Sequence, residues 1–528
     1  MPQVPRFVLP APPEFPVSSP QPAVRQRRHC VTAADGVSLE VVVYDVERAG
    51  EPQPESRPVV VLPASWAASG RDFSSMLTWL ASSGYVTVGY TPRGFNGSGG
   101  MVGAAGPTDV SDFRAVLDWL LATVAAADPK RVAAVGLSYG AGISLLAAAE
   151  DDRVTAVVAM NGWADLYEAL AAGDTPRLLG AALLSSGLLR GRAEPSFVRA
   201  ILRFYSGLQH DELKRWSARR SASSCLERLN ARPVSVLLSA SWNDTVLRPD
   251  QVVDFHTALT GRSVLLLHPD DHPVVPLAQL STASGRAVWQ YARAWLDHEM
   301  RGMTTGVEGD GPVVVLRESG LEDREPLAAL PSRPPTRFGL GPPRLLSYGR
   351  AAGRGGAWRS RLLSGVPTGA TDRVPLVTQL MERVLGPMPA VWFPLVPGFA
   401  AARWTTDPFT DAQRLRGAPY VRLRVGCPAR QVTLTAHLYE VGPAGVGRLI
   451  SQGAATVNTG GRCPTSVTVR LRTTVRDVAA GHRVGLVIGS HDPTCANRTP
   501  PLRRLTLHSL DAEPAFLSLP LHDAPDAD

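Results

Sequence analysis

Lysine is nearly missing from this chain: of 54 basic residues in 528, only Lys130 and Lys214 are lysines. The rest are arginines, and they are scattered. The formal charge of +7 therefore does not form the basic face or stripe that nucleic-acid binding requires. Short clusters such as Arg25-Gln-Arg-Arg28 and Arg219-Arg220 are expected to be solvated surface. Cysteine is scarce too. Cys30, Cys225, Cys427, Cys463 and Cys495 are too few and too dispersed for a disulfide framework, and no Cys-x-x-Cys marks a metal site. Free buried thiols are the expectation, with room for one disulfide among the last three. No run of about 18 apolar residues exists to span a membrane. The first 28 residues are Pro-rich and lack a basic segment leading into an apolar run, so no signal peptide is expected and a cytoplasmic location is the default. With 44% hydrophobic against 19% charged residues the chain is globular rather than disordered, and its length suits two or three domains.

What is present is strand and helix text in alternation. Val37 to Asp45 alternates like a strand after a turn at Gly36. Pro58 to Leu62 is a short apolar run, as in strands buried on both faces. Phe73 to Ser83 has helical spacing with Asp72 as its expected N-cap, and Tyr85 to Tyr90 is again a strand. Asp109 to Val124 places Phe113, Val116, Leu117 and Leu120 on one helix face. Strands follow at Arg131–Leu137, Arg153–Ala159, Pro233–Leu238 and Ser263–Leu267, with a long closing helix at Ala287–Met300. This pattern predicts an α/β fold with a mostly parallel sheet. Between Gly162 and Leu229 the alternation stops and three segments look helical, as in a cap inserted over the sheet edge. After Gly309 the text turns to strands, including Pro312–Leu316, Tyr420–Val425, Val432–Leu438, Val467–Leu471 and Arg483–Ile488, which predicts an all-β sandwich. Pro331 to Gly356 reads as long surface loops. The expected layout is a Pro-rich arm at 1–28, an α/β domain at 29–308 with its cap at about 162–229, and a β-sandwich (jelly-roll) domain at 309–528.

The chemistry centres on Gly136-Leu137-Ser138-Tyr139-Gly140, a Gly-x-Ser-x-Gly pattern between a strand and a helix. Such an elbow lifts a serine hydroxyl clear of the backbone at the C-terminal end of a parallel strand, where α/β sheets bind ligands. In a chain with 48 glycines the pattern alone is unspecific; its context decides. A serine nucleophile needs a base and an acid to orient that base, in the chain order Ser, Asp, His. Asp244 follows one predicted strand and His272 another, with His268 the second choice of base because it lies nearer the strand end. A lone loop aspartate is usually a turn former, and a lone histidine is usually surface or core. Three residue types in order, each beyond a strand end, are far harder to obtain by accident. Two N–H donors must also meet the oxyanion. They are expected from Tyr139, the residue after the nucleophile, and from the loop Pro63-Ala64-Ser65-Trp66, with Trp66 N–H preferred over Ser65.

The chain resembles the X-prolyl dipeptidyl-peptidase and cocaine-esterase family of serine hydrolases. The elbow has that family's Tyr after Ser. Tyr90-Thr-Pro-Arg-Gly-Phe-Asn-Gly-Ser-Gly99 is similar to its Arg-Gly-x-x-x-Ser loop, and Asp109 to Trp119 to its helix before the elbow strand. Trp216 to Ser221, leading into Pro233, resembles the end of its cap. Ala294 to Gly302 followed by Pro312 to Arg317 resembles its link between hydrolase and jelly-roll, and Gly481 to Ile488 belongs to jelly-roll-like text. The resemblance runs from about Asp35 to Leu519 and implies Ser138, Asp244 and His272 as the triad. There are departures. Pro63-Ala-Ser-Trp66 stands where a Pro-Tyr usually supplies an oxyanion donor, and His-Pro-Asp-Asp precedes His272 where Gly-Pro-Trp is frequent. No large N-terminal domain like that of the long X-prolyl enzymes is expected.

Hence a serine hydrolase is expected, acting on a small-molecule ester or amide or a short peptide, X-Pro dipeptidyl bonds included, with no cofactor and no metal. A peptidase of that type must hold a substrate ammonium, and Asp165, Glu168 and Asp174 in the cap are the candidate carboxylates. The alternatives are a carboxylesterase or amidase without amine recognition, or a binding protein on a hydrolase scaffold, which the intact Ser, Asp and His argue against. No nucleic-acid or membrane partner is expected, and self-association into a homo-oligomer stays open.

Overall fold

A computed structural model describes residues 24–46, 56–207, 210–273, 279–331, 333–345, 348–353, 355–370, 391–460 and 464–523. Ten strands form one sheet: β1 (Val24–Thr32), β2 (Ser38–Val46), β3 (Arg57–Pro63), β4 (Val86–Tyr90), β5 (Ala127–Leu137), β6 (Val154–Met160), β7 (Ser235–Ser241), β8 (Ser263–His268), β9 (Val313–Arg317) and β10 (Gly320–Leu327). Their spatial order is β1-β2-β4-β3-β5-β6-β7-β8-β9-β10. From β4 through β9 every pairing is parallel; β1, β2 and β10 are antiparallel additions.

The central strands are apolar without alternation because each face has its own cover. Val59 and Val61 point into one core with the helices Pro107–Thr123 (α2), Tyr139–Glu150 (α3) and the cap. Val60 and Leu62 point into a second core with Ser74–Ser82 (α1) and the closing helix Ala283–Arg301. The cap comprises α4 (Leu166–Ala171), α5 (Leu178–Arg190), α6 (Pro195–Ser206), α7 (His210–Ala218) and α8 (Leu226–Asn230), and Asp250–Ala258 (α9) follows β7.

The C-terminal strands make two larger sheets and a three-stranded one. Inward residues of both larger sheets, such as Val421 and Leu507 from one and Leu434 and Leu486 from the other, share one core, as in a β sandwich.

Several expectations are revised by the structure. Val313–Arg317, read as the start of the sandwich, pairs in parallel with β8, so the α/β sheet runs past residue 308 to Leu327. An apolar five-residue strand looks the same in either setting, and only its partner decides. Residues 24–28 of the expected arm are part of β1, and residues 1–23 lie outside the described residues. Asp72 does not cap the helix from outside. It is the third residue of a short 3₁₀ turn capped by Ser69, and its carboxylate accepts from Ser69 N at 2.8 Å. The segment 331–356 carries short strands at Thr336–Gly339 and Gly349–Arg350. Arg220 is buried rather than solvated: its Nε donates to Gly103 O at 2.8 Å and its guanidinium lies over the Trp216 ring. Cys30, Cys225 and Cys427 are free thiols, Cys30 being exposed rather than buried, and Cys463 lies outside the described residues.

Candidate active site

Strand β5 ends at Leu137 and α3 begins at Tyr139, so Ser138 alone makes the turn. It does so at φ 54°, ψ −113°, a left-handed backbone that a residue with a Cβ adopts only under strain. Both flanking glycines are required by contact. A Cβ on Gly136 would stand 2.2 Å from the Gly140 carbonyl group, and one on Gly140 would stand 2.1 Å from Pro63 O. The elbow therefore closes on itself and against the loop after β3.

The expected partners converge on this serine. Ser138 Oγ lies 2.9 Å from His272 Nε2, and His272 Nδ1 lies 2.8 Å from Asp244 Oδ2. All three residues are buried. The remaining oxygen of Asp244, Oδ1, accepts from Val246 N at 2.8 Å and Leu247 N at 2.7 Å. An ionised carboxylate only accepts, so the proton between Asp244 and His272 sits on Nδ1, and Nε2 is left to accept from the serine hydroxyl. His268 takes no part in this relay. It is wholly buried, with Nε2 3.0 Å from Asn161 Oδ1 and Nδ1 3.2 Å from Asp270 Oδ2.

A second carboxylate beside His272 was not singled out from the sequence. Asp271 Oδ1 accepts from His272 N at 2.6 Å and from Thr245 N and Oγ1 at 2.8 Å each. Burial disfavours the His272 imidazolium, but the charges of Asp244 and Asp271 and the hydrogen bond to Asp244 outweigh it and raise its pKa above the ordinary histidine value. Burial, followed by the Asp244 charge, raises Asp271 itself. If His272 is the base, kcat/KM falls on the acid side as His272 protonates, at a pH above that of an ordinary histidine. Asp271→Asn keeps an oxygen for its three donors and removes the charge. It is expected to move that acid limb to lower pH while leaving kcat at the same order of magnitude. A pH profile of kcat/KM checks this, and an unmoved limb contradicts it.

The loop expected to complete the oxyanion hole does lie at the elbow. Ser65 Oγ donates to Leu137 O at 2.8 Å, and Pro63 O is the atom that excludes a side chain from position 140. Trp66 lies over Tyr139, ring centroids 5.1 Å apart, and also meets Phe95 and Phe197 edge-on. Tyr139 is anchored from behind: its hydroxyl donates to Asp109 Oδ1 at 2.9 Å and accepts from Ala105 N at 3.1 Å. Burial raises the Asp109 carboxyl to about 6.

The three cap acids are differently placed. Asp165 caps α4 by accepting from Glu168 N, and accepts from Ser223 Oγ. Asp174 accepts from Tyr167 Oη at 2.7 Å and pairs with Lys214 at 2.9 Å. Glu168 is exposed, and partial burial followed by the Asp165 charge raises its carboxyl. Among the described residues no cluster of His, Cys, Asp or Glu could hold a metal ion, and no helix is long and apolar enough to cross a membrane.

A capped parallel sheet with a serine elbow, followed by a β sandwich, defines a serine hydrolase of the α/β type. The family model for X-Pro dipeptidyl-peptidase (S15 family) matches residues 35–273, and that for the X-Pro dipeptidyl-peptidase C-terminal non-catalytic domain matches 401–519. The chain belongs to the X-Pro dipeptidyl-peptidase (S15) family, whose members act on ester or peptide bonds. Among solved structures it is similar to an α-amino acid ester hydrolase, at 16% identity and a TM-score of 0.72 over 98% of this chain and 100% of that one. It is also similar to a CocE/NonD family hydrolase from Staphylococcus aureus (12%, 0.69, 94% of each chain). A third is an aminopeptidase from the marine sediment archaeon Thaumarchaeota archaeon (14%, 0.67, 98% and 99%). At these identities the likeness is one of fold. No curated protein sequence matches the chain.

Proposed function

We propose that Ser138, His272 and Asp244 are the catalytic triad of this hydrolase, which cleaves an ester or amide through an acyl-enzyme. The observation that carries the reading is the continuous relay Ser138 Oγ–His272 Nε2–His272 Nδ1–Asp244 Oδ2, at 2.9 and 2.8 Å, inside a buried site. Ser138 Oγ attacks the carbonyl carbon as its proton passes to His272 Nε2. Asp244 holds the imidazole tautomer and stabilises the imidazolium. The tetrahedral oxyanion is met by Tyr139 N–H and by Trp66 N–H from the loop held beside the elbow, each such donor contributing roughly 3–4 kcal/mol to the barrier reduction. His272 then returns the proton to the leaving group, and water repeats the attack on the acyl-enzyme.

Two substrate classes suit this chemistry. Dipeptidyl cleavage after X-Pro requires a carboxylate for the substrate ammonium, and two of the three cap acids, Asp165 and Asp174, are already engaged within the cap. A plain ester or amide demands nothing beyond the relay and the oxyanion donors, and that engagement favours it. The test is a fluorophosphonate probe with peptide mapping, followed by a panel of aryl esters and X-Pro anilides. Labelling at Ser138 and turnover of aryl esters are expected. Labelling at no serine and turnover of no substrate would overturn the assignment, and X-Pro anilides cleaved as fast as esters would select the dipeptidyl reading.

A further inference from the structure

The triad acid is held from two directions by side chains remote from it in sequence. Asp244 lies between the end of β7 at Ser241 and the start of α9 at Asp250. Two successive carbonyls of this loop each meet a buried guanidinium. Arg472 Nη1 donates to Asp244 O at 2.9 Å, and Arg177 Nη2 donates to Thr245 O at 3.1 Å. Arg472 comes from the β sandwich and Arg177 from the start of the cap helix α5; they are 4% and 6% exposed. Arg472 is itself fixed by the sandwich. Its N–H donates to Gln452 O at 2.8 Å and its carbonyl accepts from Ser451 Oγ at 2.6 Å. The next residue, Thr473, donates through N and Oγ1 to Asp250 Oδ1, both at 2.8 Å, and Arg248 Nη2 reaches Arg470 O at 3.2 Å. The loop that carries the acid is thus bonded at both ends to one short stretch, 470–473, of the sandwich.

Each acceptor of Asp244 now has a distinct duty. Oδ2 faces His272, Oδ1 takes two main-chain N–H groups of its own loop, and the carbonyl is pinned from outside by Arg472. The first joins the carboxylate to His272, and the second fixes it relative to its own loop. The third ties the main chain of Asp244 itself to the β sandwich, because the donor belongs to that domain. A loop carbonyl in this position would otherwise bond water, which transmits no position. The guanidinium is rigid and planar, so it holds the carbonyl in place as a flexible ammonium would not.

We propose that Arg472 is a positioning residue of the hydrolase: the β sandwich sets where the carboxylate of Asp244 meets His272. The proposal rests on Asp244 being the triad acid. The experiment uses the full chain with Arg472→Met, which keeps the apolar stem, Arg472→Ala, which opens a cavity, and Arg350→Ala as a control at an exposed surface pair with Asp407. Active sites are counted by fluorophosphonate titration, and kcat is expressed per titrated site on an aryl ester. In both Arg472 variants kcat per site is expected to fall by about 10²-fold, with KM near that of the unaltered protein. The acid limb of kcat/KM is expected to move to lower pH as the Asp244–His272 pairing loosens. Guanidinium ion at sub-denaturing concentration should restore part of kcat to Arg472→Ala and nothing to Arg350→Ala. Variants that lose thermal stability or titratable sites but keep kcat per site and the acid limb would overturn the proposal, showing Arg472 to be structural only. If Ser138→Ala stays active, the triad itself fails. If Ser138→Ala is inactive while Arg472→Met turns over normally per site, only this proposal fails.

Discussion

Ser138→Ala is expected to lower kcat on an aryl ester by on the order of 10⁶-fold, leaving the residual catalysis of binding and the oxyanion donors. The loss is large because nucleophile and base act as a unit: without Oγ, His272 has no hydroxyl proton to take and no acyl-enzyme forms. The fold should persist. Alanine keeps the Cβ that Ser138 already carries at φ 54°, and it removes one hydrogen bond, to His272 Nε2. Ser138→Gly should be equally inactive yet more stable than Ser138→Ala by about 1 kcal/mol, since glycine adopts this backbone without strain. Steady-state kinetics and urea unfolding on the two variants read both effects. A kcat within tenfold of the unaltered protein would remove Ser138 from the mechanism, and equal stability of the two variants would show the elbow to be unstrained.

Asp244→Asn should lower kcat by about 10⁴-fold for a reason that is geometric rather than merely electrostatic. Two main-chain donors, Val246 N and Leu247 N, converge on Oδ1. An asparagine must keep its oxygen there, because turning its NH₂ toward two N–H groups would leave three donors facing one another in a buried site. The NH₂ is then forced toward His272 Nδ1, which must accept. The imidazole proton moves to Nε2, and the base becomes a donor toward the serine. The charge that helps raise the His272 pKa is lost as well, so the residual activity should have its acid limb at lower pH. The kcat/KM profile of the variant checks both points. Turnover within tenfold of the unaltered protein would mean that another group orients the base, with Asp271, bonded to the His272 main chain, the nearest candidate.

The elbow, the order of Ser138, Asp244 and His272, and the helical cap are all legible in the chain because they are local. A strand buried on both faces, a glycine where a Cβ would stand 2.2 Å from neighbouring backbone, and an aspartate or histidine just past a strand end each leave a mark within a few residues. Other features had no such mark. His268 ends β8 and His272 follows it, and only the turn of the loop brings the second to Ser138 while Asn161 and Asp270 hold the first. Asp271 was visible as one of a pair of acids, but its bond to the His272 main chain depends on how that loop folds back on Thr245.

By itself, then, the sequence determined the alternation of elements and the order in which Ser138, Asp244 and His272 follow strand ends, since these follow from residue type and period over short spans. Tertiary structure alone decided what depends on partners distant along the chain. It drew Val313–Arg317 into the parallel sheet because β8 offered an open edge. It buried Arg220 against Gly103 and Trp216. It also brought Arg472, 228 residues away, onto the carbonyl of Asp244. Hydrogen bonds and burial are set by distance in space, and no local period encodes that distance.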